Sequence, residues 1–327
     1  MSCVGVAVAG LWTSPEAPRA IDSPALADPV LLEQWLADLD DDTRLALCQE
    51  KRLATQVLLD TPVEVLERQR DSQGNDWNRV VVPSQRSSLD ERGYPGWIPA
   101  TQLVEAEGCP ADAESVVVMA PIAWLQGLPQ GRSLKLSFLT RLKLAEPGDN
   151  AKTREGSRVW VKTSLGRGWL PRDSVQLPGD AFPATAATLE MLGRRFDGLR
   201  YLWAGNSSFG YDCSGLVHSL FAAIDIALPR DAHDQVKTGQ PVELDERRSG
   251  DLLFFEKPND QGRRVVDHVA LYLGEDRMLH SPTNNARIEC RRLSGSRYET
   301  ELCAVRRYLD PGGQETVIPA GTVPAGT

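Results

Sequence analysis

Cys213 sits in the run Y-D-C-S-G-L-V, flanked by polar and small residues at the start of an apolar helical pattern. Unpaired N–H groups and the dipole at a helix start stabilise a thiolate, so the position favours a nucleophile over a packed structural thiol. Asp212 is the expected cap, and Ser214 and Gly215 are small enough for close backbone approach. The chain has four histidines. His268 interrupts the apolar run V-V-D-H-V-A-L-Y-L-G, where a satisfied core histidine is the competing reading, and His280 ends M-L-H. Their midpoint, Gly274, reads as a hairpin turn, which makes the two rings opposite or diagonal neighbours. One imidazole could then orient the other, so that nucleophile, base and orienting group follow in chain order. His218, on the polar side of the helix, and His233, in a polar loop, are expected at the surface. Zinc is the rival use of Cys213, His268 and His280. Structural zinc sites bring ligands in closely spaced pairs, and the cysteines at 3, 48, 109, 213, 290 and 303 form none. No metal or cofactor is expected.

The elements around these residues follow from periodicity. Leu189 to Phe196 reads as a helix. Leu216, Val217, Leu220, Phe221 and Ile224 line one face of a second helix beginning at or near Cys213. Strands are expected over Asp251–Glu256, Val265–Gly274, Arg277–Ser281 and Cys303–Leu309. A helix carrying the nucleophile on an antiparallel sheet is an α+β, papain-like core. The preceding chain contains a repeat with insertions. Around 61–99 and again around 140–171 it runs strand, loop, Trp-bearing strand and turn, ending in G-W-I-P and G-W-L-P. Val63, Val65, Val80 and Val82 alternate as in half-buried strands, and Pro99 and Pro171 are expected to close the units. Such units pack as small barrels and resemble bacterial SH3-like domains. The organisation expected is a first barrel over 1–106, with a helical insertion about 29–45, a second over 112–178, a linker at Pro178 to Pro183, and a peptidase domain over 185–309. A disordered tail over 310–327, rich in Pro, Gly and Thr, would follow.

A length of 327 residues suits two or three domains, and a net charge of −9 opposes a polyanionic partner, so no nucleic acid is expected. No apolar run is long enough to span a bilayer. Met1 to Trp12 has no Lys or Arg before residue 19 and reads as a strand, not a secretory leader. A disulfide framework is therefore not expected, and a cytoplasmic location is.

With these residues in place, 199–281 resembles the NlpC family of bacterial cell-wall peptidases. The resemblance is carried by Y-L-W-A-G near Tyr201, D-C-S-G-L-V at 212–217, L-P-R-D at 228–231, G-D-L-L-F-F at 250–255, D-H-V-A-L-Y-L-G at 267–274 and L-H-S at 279–281. It implies Cys213 as nucleophile, His268 as base, His280 as the third polar residue, and Tyr201 beside substrate or oxyanion, with Ser214 also at the substrate. The chain departs from the pattern at Ala204 and Ala270, where Gly is usual, and at Asp267, where Ser is common. Asp267 is expected on the sheet face opposite His268.

Members with preceding SH3-like domains resemble murein-recycling endopeptidases. These cleave after γ-D-glutamate, ahead of a diamino acid, in tripeptides or tetrapeptides with a free N-terminal L-alanine. The resemblance implies Asp231 as the partner of that amine, Arg230 as holder of a carboxylate or of its own loop, and Tyr94 as an outer wall. The readings left open are an amidase or acyltransferase acting on another amine, and a non-catalytic wall-binding protein using the SH3-like domains.

Overall fold

Alternating apolar residues fold the N-terminal segment as sheet. The computed structural model describes residues 2–105, 115–145, 157–283 and 286–309. Seven strands lie side by side in the order Leu53–Leu58, Val8–Trp12, Tyr94–Pro99, Asp76–Val82, Pro62–Arg70, Ser2–Val4 and Leu103–Glu105. Their inward residues, among them Leu11, Val57, Val80, Val82 and Ile98, form one apolar core. The second unit has a five-stranded sheet, in the order Gly166–Pro171, Arg158–Thr163, Arg141–Leu144, Ser115–Val118 and Val175–Gln176, and a separate pair of Ile122–Leu125 and Leu134–Ser137.

The repeat is visible in the backbone. Each Gly-Trp strand ends at a proline that caps a single 3₁₀ turn, Ala100–Gln102 or Arg172–Ser174. Pro99 and Pro171 do not close their units as expected, because each turn leads into one further short strand of the same sheet.

The insertion in the first unit is larger than the single helix expected. A 3₁₀ turn at Ala20–Asp22 and helices Ser23–Leu26, Leu32–Asp38 and Asp41–Gln49 lie between the second and third strands of the chain. The break at Leu39 has a local cause. Asp40 adopts extended backbone and caps the last helix, its carboxylate accepting from the Thr43 N–H at 2.8 Å. Buried Arg44 reaches back to the carbonyls of Leu36 and Leu39, at 2.6 and 3.2 Å, and so satisfies the end of the preceding helix.

From Ala186 the chain becomes α+β. A short helix, Ala186–Gly193, runs into a 3₁₀ turn, Arg194–Phe196, and the helix Cys213–Ala222 follows. The six-stranded antiparallel sheet has the order Gln240–Val242, Leu302–Arg307, Leu252–Pro258, Arg264–Gly274, Arg277–His280 and Glu289–Arg292. The helix buries Leu216, Val217, Leu220 and Phe221 in one core with Leu252, Phe254, Val269, Leu271 and Leu279. Each such side chain contributes about 1.5–3 kcal/mol on burial. The other sheet face packs Phe255, Ala270, Tyr272 and Met278 against Tyr298. The two outer strands, Gln240–Val242 and Glu289–Arg292, were not expected from the sequence. The stretch from Leu177 to Pro183 has no regular structure, and Cys109 and the tail from residue 310 lie outside the described residues. Among the described residues, no helix is long and apolar enough to cross a membrane.

Candidate active site

The start of the Cys213 helix is built to hold one side chain still. Asp212 caps it, accepting from the Gly215 N–H at 2.6 Å. Gly215 presses backbone to backbone on the preceding loop, where a Cβ would meet the Gly205 carbonyl oxygen at 2.1 Å. That loop bends at Ala204, whose φ of 57° is the left-handed region where glycine is at ease. The departure at 204 is therefore a strained position kept by its surroundings: Ala204 is buried in the apolar cluster that also holds Trp12, Trp35 and Leu202.

Cys213 is buried, and its Sγ lies 4.0 Å from the carbonyl oxygen of Asp267. The backbone N–H groups of Val269 and Ser214 also face the sulfur. The thiol therefore rests on the strand at His268. Burial, and then the neighbouring Asp212 carboxylate, push it up to about 12, against those two N–H groups and Arg230. His268 and His280 are both buried, and His268 Nε2 lies 2.8 Å from His280 Nδ1. The hairpin pairs Leu271 with Leu279, so the two histidines are diagonal neighbours. Its turn is at Glu275 and Asp276, with φ of 48° and 60°, one step beyond Gly274. Phe255 and Tyr298 flank the pair, with Tyr298 centred 5.2 Å from His268 and 4.9 Å from His280. Burial, then the charges of His280, Lys257 and Arg297, hold His268 well below the usual imidazole range. Burial, Arg291 and Arg297 hold His280 at about 3. Both shifts favour neutral rings. Ser281 Oγ donates to the Tyr211 carbonyl at 2.8 Å and ties the end of the His280 strand to the loop before Cys213. Asp267 is the extra residue of a bulge, between the pairs Phe255–His268 and Glu256–Val266, and its carboxylate engages Lys257 at 3.0 Å.

The polar residues around this centre divide. Tyr201 is buried beside Cys213: burial, then the charges of Cys213 and Asp212, hold its phenol well above the usual range. Asp231 receives the Tyr94 hydroxyl at 3.0 Å across the boundary with the first β unit. Burial raises its carboxyl, Arg230 opposes that rise, and Asp212 adds to it.

The side chains of Arg230 and Ser214 are turned inward, so that of the two roles expected for Arg230 the structure favours holding the surrounding backbone over meeting a carboxylate, and Ser214 is not presented as the substrate contact expected. Arg230 is completely buried. Its Nη2 and Nη1 grip Asp212 at 2.8 and 3.1 Å, Nη1 also reaches Ser214 Oγ, Nη2 the Gly205 carbonyl and Nε Thr55 Oγ1. Ser214 Oγ is occupied by Arg230 and Asp212, so its side chain has no reach outward. His218 is half-buried rather than a surface residue: its Nδ1 is enclosed, and burial, then Arg230, hold it at about 3. His233, by contrast, has a half-exposed side chain, as expected. Among the described residues no cluster of side chains could hold a metal ion, and Cys213, Cys290 and Cys303 are free thiols.

Comparison with known proteins gives this geometry its family. The NlpC/P60 family pattern matches residues 198–307. A gamma-D-glutamyl-L-lysine dipeptidyl-peptidase of Bacillus subtilis is 39% identical, covering 94% of this chain and 98% of its own. A protein of the same name from Bacillus cereus is 35% identical, covering 94% of this chain and 90% of its own. The crystal structure of an NlpC/P60 family protein from Bacillus cereus superposes with a TM-score of 0.86 at 33% identity, covering 95% of this chain and 100% of that one. The chain belongs to the NlpC/P60 family. It is a cell-wall cysteine peptidase, and its C-terminal α+β domain is the papain-like catalytic fold expected.

Around the site of this NlpC/P60 peptidase stand residues that sequence reasoning missed. Thr55 accepts from Arg230 Nε at 3.0 Å and donates to Gln85 Oε1 at 2.7 Å. Gln56 Oε1 receives the Asn206 N–H at 3.0 Å and the Ser207 hydroxyl at 2.8 Å. Both come from a strand of the first β unit, and nothing in L-A-T-Q-V-L marks them, because their partners lie far along the chain. Phe255 and Tyr298 were equally silent, as apolar residues in apolar contexts.

Proposed function

We propose that the protein hydrolyses the bond between γ-D-glutamate and a diamino acid in murein stem peptides with a free N-terminal L-alanine, in cell-wall recycling in the cytoplasm. The observation that carries the reading is the Tyr94–Asp231 contact at 3.0 Å. It sets a mostly buried carboxylate, closed from outside by the first β unit, next to the Arg230–Asp212 pair that caps the Cys213 helix. A carboxylate in that position suits a terminal ammonium, with Tyr94 bonded to it from the first β unit. The names of the two long relatives support the bond proposed. The two N-terminal β units we read as SH3-like, the first serving as a wall of the site.

Cys213 is the nucleophile, His268 the base and His280 the orienting group. His268 Nε2 is engaged by His280, which leaves Nδ1 to take the thiol proton. The resting pair is neutral, so proton transfer accompanies attack on the γ-carbonyl carbon of D-glutamate. The new C–S bond gives a tetrahedral oxyanion, met by N–H groups at the helix start and by the Tyr201 phenol. Collapse breaks the C–N bond, and His268 returns its proton to the leaving amine. Water, deprotonated by His268, then hydrolyses the thioester and restores the thiol.

A panel of defined stem peptides read by mass spectrometry tests the bond. Release of L-alanyl-D-glutamate with the diamino acid as coproduct is expected. Cleavage at any other bond in the panel contradicts the proposal.

A further inference from the structure

The imidazole pair has a loose end on the side away from Cys213. His280 Nε2 is buried and has no hydrogen-bond partner. Directly opposite His280 in the register of the outer strand pair stands Glu289, its Oε1 3.5 Å from that nitrogen. Charged groups surround the site, with Asp267 paired to Lys257 at 3.0 Å and also near Arg297. Arg291 follows on the same strand and shares the Glu289 carboxylate at 3.2 Å, Arg297 comes from the helix Arg297–Glu301, and Lys257 from the strand beside His268. Tyr298 packs against both rings, tilted on His268 and edge-on to His280.

The protons of the pair are constrained by what each end faces. A single N–H lies between His268 Nε2 and His280 Nδ1. If His280 Nδ1 held it, the bare Nε2 of His280 would point its lone pair at a carboxylate. His268 would then have to carry its own proton on Nδ1 and could not act as a base. If His280 carries its proton on Nε2, that N–H points at Glu289, Nδ1 accepts from His268, and His268 Nδ1 is bare.

We propose that Glu289 is a positioning residue that sets the tautomer of His280 and, through it, keeps His268 Nδ1 free to act as the base. The proposal rests on the reading of Cys213, His268 and His280 given above. The carboxylate also offsets Arg291 and Arg297 as positive charge builds on the pair during proton transfer. It closes the remaining gap when His280 is polarised, which the edge position of its strand permits. Glu289 touches neither substrate nor sulfur, so its effect falls on kcat and not on KM.

Two variants of the full chain test this, Glu289→Leu and Glu289→Gln. The readouts are histidine ¹⁵N spectra for the tautomers, and the rate at which iodoacetamide alkylates Cys213 across pH. The amide of Glu289→Gln still presents an acceptor oxygen, whereas Glu289→Leu presents none. In Glu289→Leu, His280 should populate the Nδ1–H form, and alkylation at pH 7 should slow by about tenfold, the scale of one charge-assisted hydrogen bond at a partly exposed group. Glu289→Gln should retain the wild-type tautomer and most of the rate, and on a cleavable peptide the loss in Glu289→Leu should appear in kcat alone. A wild-type spectrum and rate in Glu289→Leu, or an equal loss in both variants, overturns the proposal. Alkylation needs no substrate, so an error in the assigned substrate leaves this result intact.

Discussion

The two β units end in the same strand, 3₁₀ turn and short strand, yet they meet the peptidase domain differently. The first delivers polar groups to the surroundings of Cys213: Thr55 to Arg230, Gln56 to Asn206 and Ser207, the Arg86 carbonyl to the Arg230 N–H, and Tyr94 to Asp231. The second meets the same loop one residue further on, with Ser137 and the Phe138 N–H on Ser208, and packs the Phe138 ring on Phe196. The difference lies in the loop before the shared closing strand. In the first unit residues 83–93 fill that position and carry Arg86 and Ser88 to the peptidase domain; in the second, Ser164 and Leu165 suffice. A repeat can therefore preserve its scaffold while one copy gains contacts beside Cys213 and Arg230 through a single loop and one strand.

The scale for breaking this comparison is set by the nucleophile. Cys213→Ala should lose turnover on the order of a million-fold with the fold intact, since removing a triad nucleophile has about that cost. His268→Ala should approach it, and His280→Ala should be milder. A larger loss at His280 would exchange their roles. Single-turnover hydrolysis checks all three.

The comparison itself is sharpened by two variants of similar stability cost. Thr55→Val in the first unit and Ser137→Ala in the second each leave a buried donor unpaired, at about 1–3 kcal/mol. Urea denaturation should show comparable losses. Only Thr55→Val should also lower kcat/KM, because Arg230 and through it the Asp212 cap lose an anchor. Equal activity in the two variants would make the first unit a mere neighbour.

Acid should separate the folded from the unfolded chain through the same buried centre. The unfolded chain protonates its histidines near pH 6.5, as free imidazoles do. Burial keeps His268 and His280 neutral far below that, His280 down to about 3. The unfolded state therefore binds more protons in this window, and stability falls as pH drops from about 6.5 towards 3. Each proton refused contributes about 1.4 kcal/mol per pH unit. His280→Gln should flatten the pH dependence of the urea midpoint by one proton; an unchanged slope would place His280 in water.

Smaller again is Tyr94→Phe, which removes one hydrogen bond to Asp231 and keeps the ring. The variant should lose about 1 kcal/mol of stability and up to about tenfold of its preference for free-amine over acetylated peptides. Unchanged discrimination, measured as a ratio of kcat/KM, would take Tyr94 out of the site.

The placement of Cys213, His268 and His280 is legible in the sequence because they are rare residue types set in local patterns, a helix start and an apolar hairpin. That of Arg230 is not. L-P-R-D looks like a solvated turn, and the groups that satisfy its buried guanidinium, Asp212, Ser214, the Gly205 carbonyl and, 175 residues earlier, Thr55, are all remote from it in the chain. The missed strands, Gln240–Val242 and Glu289–Arg292, lie at the two sheet edges, where one-sided pairing tolerates Pro and charge and leaves no apolar alternation. The insertion was read as helix but not as several, because Asp40 is equally at home as an exposed helical residue and as a cap. The Asp40–Thr43 cap and the Arg44 contact to the preceding helix end together decide between them.

The central claim, that the first β unit makes this a peptidase for substrates with a free amine, is tested most directly by competition. The wild-type enzyme is given equal amounts of L-Ala-γ-D-Glu-L-Lys and the same peptide acetylated at its N-terminus, and both products are followed by mass spectrometry. The free-amine peptide should be consumed at least about tenfold faster, the scale of one charge-assisted hydrogen bond at Asp231. Equal rates for the two peptides would contradict the account.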